Sequence, residues 1–292
     1  MTKVLVTGAA GFIGTWLVPS LRNAGYEVVG VDRVDGDISL PGGFQQLVET
    51  HKPEIVVHLS AKAGVIWCEE NPDEAIRNNA LSTLYVAKEC QRRGMRLVFA
   101  SSSEVYGDQL EGLEDGPVYP KTIYGTIKLM EEHMCKLYTV RPLILRISMP
   151  YGPFWEPLTS IRRIRHRAAI VNFLWQGVHR LPMSVHTGAR RSLCYIEDVV
   201  RAIIMLMQQN RDGIWNIGRD DVYMPIRELA ELACEMTGAP KDLIYEIPPP
   251  MERTLGKNLS MKKIQTIGWK PEVSLEDGMR RLLAWVKTLP SP

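Results

Sequence analysis

The chain has 292 residues, 45% of them hydrophobic, enough to bury the core of one large α/β domain carrying a smaller lobe. Its 35 basic and 33 acidic residues nearly balance, so the charge points to neither nucleic acid nor an anionic membrane as partner. With no apolar run of bilayer-spanning length, no leader before the first strand, and five cysteines (Cys68, Cys90, Cys135, Cys194, Cys234) lacking paired spacing, a reduced cytoplasmic protein without disulfides or a bound metal is expected.

The first strand is Lys3-Val4-Leu5-Val6-Thr7, and Gly8, Gly11 and Gly14 fall where it turns into a helix. Gly8 suits a tight turn, Gly11 lets backbone approach a pyrophosphate, and Gly14 lets the helix pack close to the strand. Phosphates then meet the free N–H groups of that helix start, where the macrodipole favours anions. A second strand, Tyr26 to Val31, ends in Asp32, at the distance where a carboxylate meets the adenosine ribose hydroxyls. That carboxylate repels a 2′-phosphate, so NAD is favoured over NADP, with Arg33 weakening the preference.

A helix over 43–51, a third strand over 54–59, a long helix over 72–93, a fourth strand over 96–101, a helix over 119–138 and a fifth strand over 142–147 follow. This alternation predicts right-handed crossovers and a doubly wound parallel sheet of Rossmann type. Beyond Pro150 the alternation loosens. Residues 1–150 are therefore expected to form the NAD-binding domain, and residues 151–292 a smaller mixed α/β substrate lobe partly interleaved with it.

Ser101-Ser102-Ser103-Glu104 follows the fourth strand and so lies at the carboxyl edge of the sheet, where open α/β folds bind ligands. Tyr124 and Lys128, four apart, share one helix face. The ammonium favours the phenolate, which predicts a Tyr124 pKa lowered toward that of a general base, with Ser102 sharing a hydrogen bond with the reacting hydroxyl.

Thr7 to Gly14, Asp32, His58-Leu59-Ser60-Ala61, Asn79, Ser101 to Gly107, Tyr124 with Lys128, Tyr151-Gly152-Pro153, Arg191 to Asp198 and Trp215 to Gly218 together resemble the extended short-chain dehydrogenase/reductase family of NAD-dependent nucleotide-sugar epimerases and dehydratases. The resemblance continues to the closing 275–285 segment and so covers nearly the whole chain. It implies Tyr124 as catalytic base, Lys128 on the nicotinamide ribose and Ser102 orienting the substrate. Gly8, Gly11, Phe12, Ile13 and Gly14 would cradle the cofactor, Asp37 and Ile38 would meet the adenine, and Leu59, Ser60, Ala61 and Asn79 would lie along it. Arg191 would reach the substrate diphosphate; apart from the resemblance, Arg253, after the proline-rich Ile247 to Pro250, is a second candidate for that job, and Asn172 a further substrate contact. It also implies a homodimer through the two long helices, for which Leu84, Ala87, Met130 and Met134 are apolar candidates.

The branches of that family differ after the catalytic hydroxyl, where this chain has Ser103 and Glu104. Dehydratases use Asp then Glu, and Ser103 is a poor proton donor for that step. Uronate decarboxylases resemble Ser102-Ser103-Glu104 better, and many 4-epimerases lack the Glu. Glu104 is thus either catalytic or a polar loop residue bonded to nearby backbone. Met149 stands where the family often has an Asn, and a thioether cannot donate that hydrogen bond. The short connection after Asp32 resembles the 4-ketoreductase branch.

The basic run Ile161 to Arg167 reads first as a solvated helix face and second as a diphosphate contact. The expectation is a nucleotide-sugar 4-epimerase working through a 4-keto intermediate. A dehydratase or uronate decarboxylase using Glu104, a 4-keto-sugar reductase, and a non-catalytic dinucleotide sensor are the alternatives.

Overall fold

The computed structural model describes residues 1–154, 168–249 and 254–291. In chain order the first half forms β1 (Lys3–Thr7), α1 (Phe12–Asn23), β2 (Glu27–Val31), α2 (Gly43–His51), β3 (Ile55–His58), α3 (Val65–Glu70), α4 (Pro72–Ala75), a π-helical turn (Ile76–Leu81), α5 (Ser82–Arg93), β4 (Arg96–Ser102), a 3-10 turn (Ser103–Tyr106), α6 (Ile123–Tyr138) and β5 (Leu143–Ile147). The second half adds β6 (Pro150–Tyr151), α7 (Ala169–Val178), β7 (Met183–His186), β8 (Arg190–Ser192), β9 (Cys194–Tyr195), α8 (Ile196–Gln208), β10 (Gly213–Ile217), β11 (Tyr223–Pro225), α9 (Ile226–Thr237), β12 (Ile244–Ile247), α10 (Lys262–Gln265) and α11 (Leu275–Val286).

The central sheet is parallel throughout, in the order β2-β1-β3-β4-β5-β10. Strand order reverses between β1 and β3, and the carboxyl ends there open a crevice of the kind that binds nucleotides. The pleat of β1 serves both layers. Val4 and Val6 pack with Leu17 and Leu21 of α1, while Leu5 packs with Phe44, Leu47 and Val86 of α2 and α5 on the other face.

Three details differ from the sequence expectation. The sixth strand, β10, pairs with β5 from Gly213↔Leu143 to Ile217↔Ile147, although Trp215 to Gly218 reads only as a family motif. Its apolar pattern is broken by Asn216, which is buried with every polar end engaged: the amide donates to the carbonyls of Gly112 and Ser260 and accepts from Tyr106 Oη. The long 72–93 helix carries the π turn in its middle, which rotates Asn79 inward. The helix expected from 119 starts at Ile123, because the Thr122 hydroxyl caps it by accepting the Gly125 N–H at 3.0 Å.

Ala87, expected on a dimer face, is fully buried against the sheet, so only Leu84, Met130 and Met134 of that set keep some surface. The smaller pairings β7 with β12, β8 with β11 and β6 with β9 are carried by Pro150 and residues after it. All five cysteines are buried free thiols, and no helix among the described residues is long and apolar enough to cross a membrane.

Candidate active site

The glycine loop has the shape its spacing predicts. Gly8 sits at φ +71°, and a Cβ there would lie 2.8 Å from the Ser60 backbone nitrogen. A Cβ on Gly14 would stand 2.3 Å from the Gly8 carbonyl oxygen, so β1 and α1 meet closely only because both positions lack one. Gly11 is the N-cap of α1 with no side chain over it, and the first-turn N–H groups, those of Phe12 and Ile13 among them, have no acceptor within the helix. A dinucleotide pyrophosphate fits this cradle.

Asp32 closes the far side, accepting the Ala10 N–H at 3.1 Å and the Arg33 N–H at 2.8 Å. The adjoining cleft is lined by Thr7, Gly8, Asp32, Asp37, Ile38, Ser60 and Ala61. The hydroxyl and N–H of Ser39 hold the Asp37 carboxyl below the usual range. Leu59, next to Ser60 and partly buried, packs against the core. Asn79 is fully buried, accepting the Lys62 N–H at 2.7 Å and donating to the Lys62 carbonyl at 3.2 Å. It fastens the loop beneath the cofactor cleft.

Tyr124 and Lys128 lie on α6, which touches the 3-10 turn so closely that a Cβ on Gly125 would be 2.7 Å from the Glu104 carbonyl oxygen. The Lys128 ammonium donates to the Ala100 carbonyl of β4 at 3.1 Å, lies 4.7 Å from the Phe99 ring centre, and is 3.0 Å from Glu131 Oε2. The helix of Tyr124 and Lys128 thus packs on the end of β4 and on the turn after Ser102, whose hydroxyl accepts the Glu104 N–H at 3.2 Å. The expected lowering of the Tyr124 pKa does not hold in this state. Burial pushes the phenol up, Lys128 pulls it down, and the nearby Glu131, Cys68 and Glu104 add to the upward push, leaving it above the ordinary value.

Glu104 is not free. Its carboxylate is gripped by the Lys257 ammonium and accepts from the Thr254 hydroxyl at 3.2 Å. Burial raises the Glu104 pKa, but Lys257, Arg191 and Thr254 outweigh it and hold the group ionised below the usual range. Ser103 is buried within the turn. Arg191 lies on β8 and donates to the carbonyls of Thr254 and Leu255 at 3.0 and 2.8 Å, so it secures the same C-terminal segment.

Met149 packs against the core and lends its carbonyl to Cys194 N–H at 3.1 Å, and Asn172 sits half-buried in the first turn of α7. Arg253 and the basic run 161–167 lie outside the described residues. Sequence reasoning missed Lys257, an isolated lysine with no periodic signal, and Glu131. For the latter the Glu131-Glu132 doublet, one turn past Lys128 on a face otherwise apolar, was the available clue. Among the described residues no cluster of His, Cys, Asp and Glu could hold a metal ion.

Residues 4–218 match the NAD dependent epimerase/dehydratase family, well over half of the chain. A putative UDP-glucose 4-epimerase of Methanocaldococcus jannaschii is 28% identical over 310 residues, covering 97% of this chain and 98% of that protein. UDP-glucuronic acid decarboxylase 1 of Arabidopsis thaliana is 27% identical over 309 residues, covering 97% of this chain and 69% of the relative. The crystal structure of Thermus thermophilus UDP-glucose 4-epimerase in complex with NAD superposes with a TM-score of 0.88 at 26% identity, over 98% of this chain and 99% of that one.

Proposed function

The chain belongs to the NAD-dependent epimerase/dehydratase family, and within it we propose a nucleotide-sugar 4-epimerase. The observation that carries this reading is the commitment of Glu104 to Lys257 and Thr254 beside an intact Ser102, Tyr124 and Lys128. A carboxylate bonded from two sides, its basicity lowered by Lys257, is a poor base for a sugar C5 proton, whose removal dehydration requires and C4 epimerisation does not.

Gly8, Gly11 and Gly14 admit the NAD pyrophosphate, and Asp32 takes the adenosine ribose. When bound, NAD supplies the acceptor and donor of the hydrogen at sugar C4. Tyr124 Oη takes the C4 hydroxyl proton as the carbonyl forms, with the Ser102 hydroxyl orienting that oxygen and Lys128 holding the nicotinamide ribose. After the 4-keto sugar presents its other face, Tyr124 returns the proton. Residues after Pro150, Asn172 and Arg191 among them, hold the nucleotide diphosphate. Five buried free thiols suit a reducing cytoplasm.

Decarboxylation of a nucleotide-linked uronate is the second reading, favoured by the cations Lys257 and Arg191 beside Glu104 and by the Arabidopsis thaliana relative. Incubating the purified protein with UDP-, dTDP- and GDP-sugars, including a uronate, without added NAD separates the two by NMR. A C4 epimer is expected; a pentose or a 4-keto product overturns the first reading. A homodimer through the flank of α5 and α6 around Leu84, Met130 and Met134 completes the proposal, and Met130→Glu is expected to convert a sedimenting dimer to monomer.

A further inference from the structure

Glu131 is a buried charge that this chemistry does not use. It sits three residues beyond Lys128 on α6 with no exposed surface, its Oε2 3.0 Å from the Lys128 Nζ. Its Oε1 accepts the Thr83 hydroxyl proton at 2.6 Å. Thr83 Oγ1 lies 3.1 Å from His58 Nε2, and His58 Nδ1 lies 2.7 Å from Thr7 Oγ1 at the end of β1. An ionised carboxylate only accepts, so the Thr83 proton is aimed at Glu131 and the Thr83 oxygen must accept from His58 Nε2–H. That assigns the ring tautomer, and Thr7 then donates to the bare Nδ1. Burial and the nearby Lys128 hold His58 down at about 3, so the ring is neutral as this wiring requires. One directional chain therefore joins the strand before Gly8 to the Lys128 ammonium.

The charges around the pair are few. Lys128 faces Glu131, Tyr124 and Cys135 from its own helix, the neutral His58 of β3, Cys68 of α3, and the Phe99 ring and Ala100 carbonyl of β4. Tyr124 faces Lys128 and Glu131 on α6, Cys68 on α3 and Glu104 on the 3-10 turn. With Glu131 ionised, the ammonium has its counter-charge beside it.

We propose that Glu131 is a positioning residue that fixes the Lys128 ammonium and cancels its charge beside Tyr124. This rests on Tyr124 being the base of the reaction above.

The test is a titration of Tyr124 by its phenolate absorbance, each protein measured against its own Tyr124→Phe counterpart, with no sugar present. Glu131→Gln is expected to move the transition to lower pH by about one unit or more, and Glu131→Asp by less. Coincident titrations of folded wild type and Glu131→Gln overturn the proposal. Glu131→Asp keeps the counter-charge, so a transition displaced as far by Glu131→Asp as by Glu131→Gln also overturns it. Because no sugar is used, a wrong substrate assignment leaves these shifts intact, and a wrong role for Glu131 leaves sugar turnover intact.

Discussion

Lys257, from the C-terminal segment, sets its ammonium on the carboxylate of Glu104, two residues beyond Ser102. Both side chains are nearly inaccessible to solvent, at 5% and 13% exposure, so each is the other's main source of solvation. Removing one partner strands a buried charge. Lys257→Met is expected to destabilise the protein by about 3–5 kcal/mol, and adding Glu104→Gln to restore most of that loss. Urea unfolding of the wild type and these two variants checks it.

The same pair sets a pH dependence. The Glu104 carboxyl is held below its ordinary value of 4.5 in the fold. A depressed folded pKa contributes stability that is present above the unfolded value and lost as pH falls through the folded one. The stability gap between wild type and Glu104→Gln is therefore expected to be full near neutrality and to shrink below about pH 4.5, read from unfolding midpoints across that range.

Tyr124→Phe removes the group that carries the C4 hydroxyl proton and little else. Turnover is expected to fall by about 10²–10⁴-fold while NAD binding survives, measured by sugar assay and by calorimetry. Unchanged turnover would remove Tyr124 from the chemistry, and a protein that binds NAD with no turnover to lose would be a sensor.

Asp32 ties the cofactor cleft to the glycine loop through the Ala10 N–H. Asp32→Ala is expected to weaken NAD binding by about tenfold or more, since bonds to a charged acceptor are worth about 1.5–3 kcal/mol, and to narrow the preference over NADP. Calorimetric titration with both dinucleotides reads this directly.

Arg146 offers a control away from the reacting atoms. It forks onto Glu132 with contacts of 2.9 and 2.8 Å, Glu132 also accepts from Ser101 at 2.6 Å, and the guanidinium lies 4.8 Å from the Tyr106 ring centre. Arg146→Met is expected to cost about 3–5 kcal/mol of stability because Glu132 is left buried and unpaired. Its thermal melt should drop well before its NAD affinity changes.

Much of this was legible in the residues themselves. Gly8, Gly14 and Asp32 are local: their roles depend on backbone shape within one strand-turn-helix unit, and spacing encodes that shape. Tyr124 and Lys128 are readable for the same reason, since four residues on a helix fix a shared face. Asn79 was legible as a motif but not as a clamp, because the π turn that rotates it inward leaves no mark in apolar periodicity. β10 was hidden by Asn216, whose burial is tolerable only because partners from 106, 112 and 260 arrive in three dimensions. The Tyr124 pKa was misjudged because its direction depends on burial and on Glu131, both tertiary facts. Lys257 reached Glu104 across more than half the chain, a distance at which one sequence carries no pairing information.

In the reaction assigned to this site, Glu104 stays bound to Lys257 while Tyr124 works at C4. Turnover of a nucleotide sugar in D2O, followed by NMR, tests it most directly. A C4 epimer that keeps protium at C5, with no net oxidation or reduction, is expected. Deuterium entering C5, with or without loss of carbon dioxide, would contradict it and make Glu104 part of the chemistry.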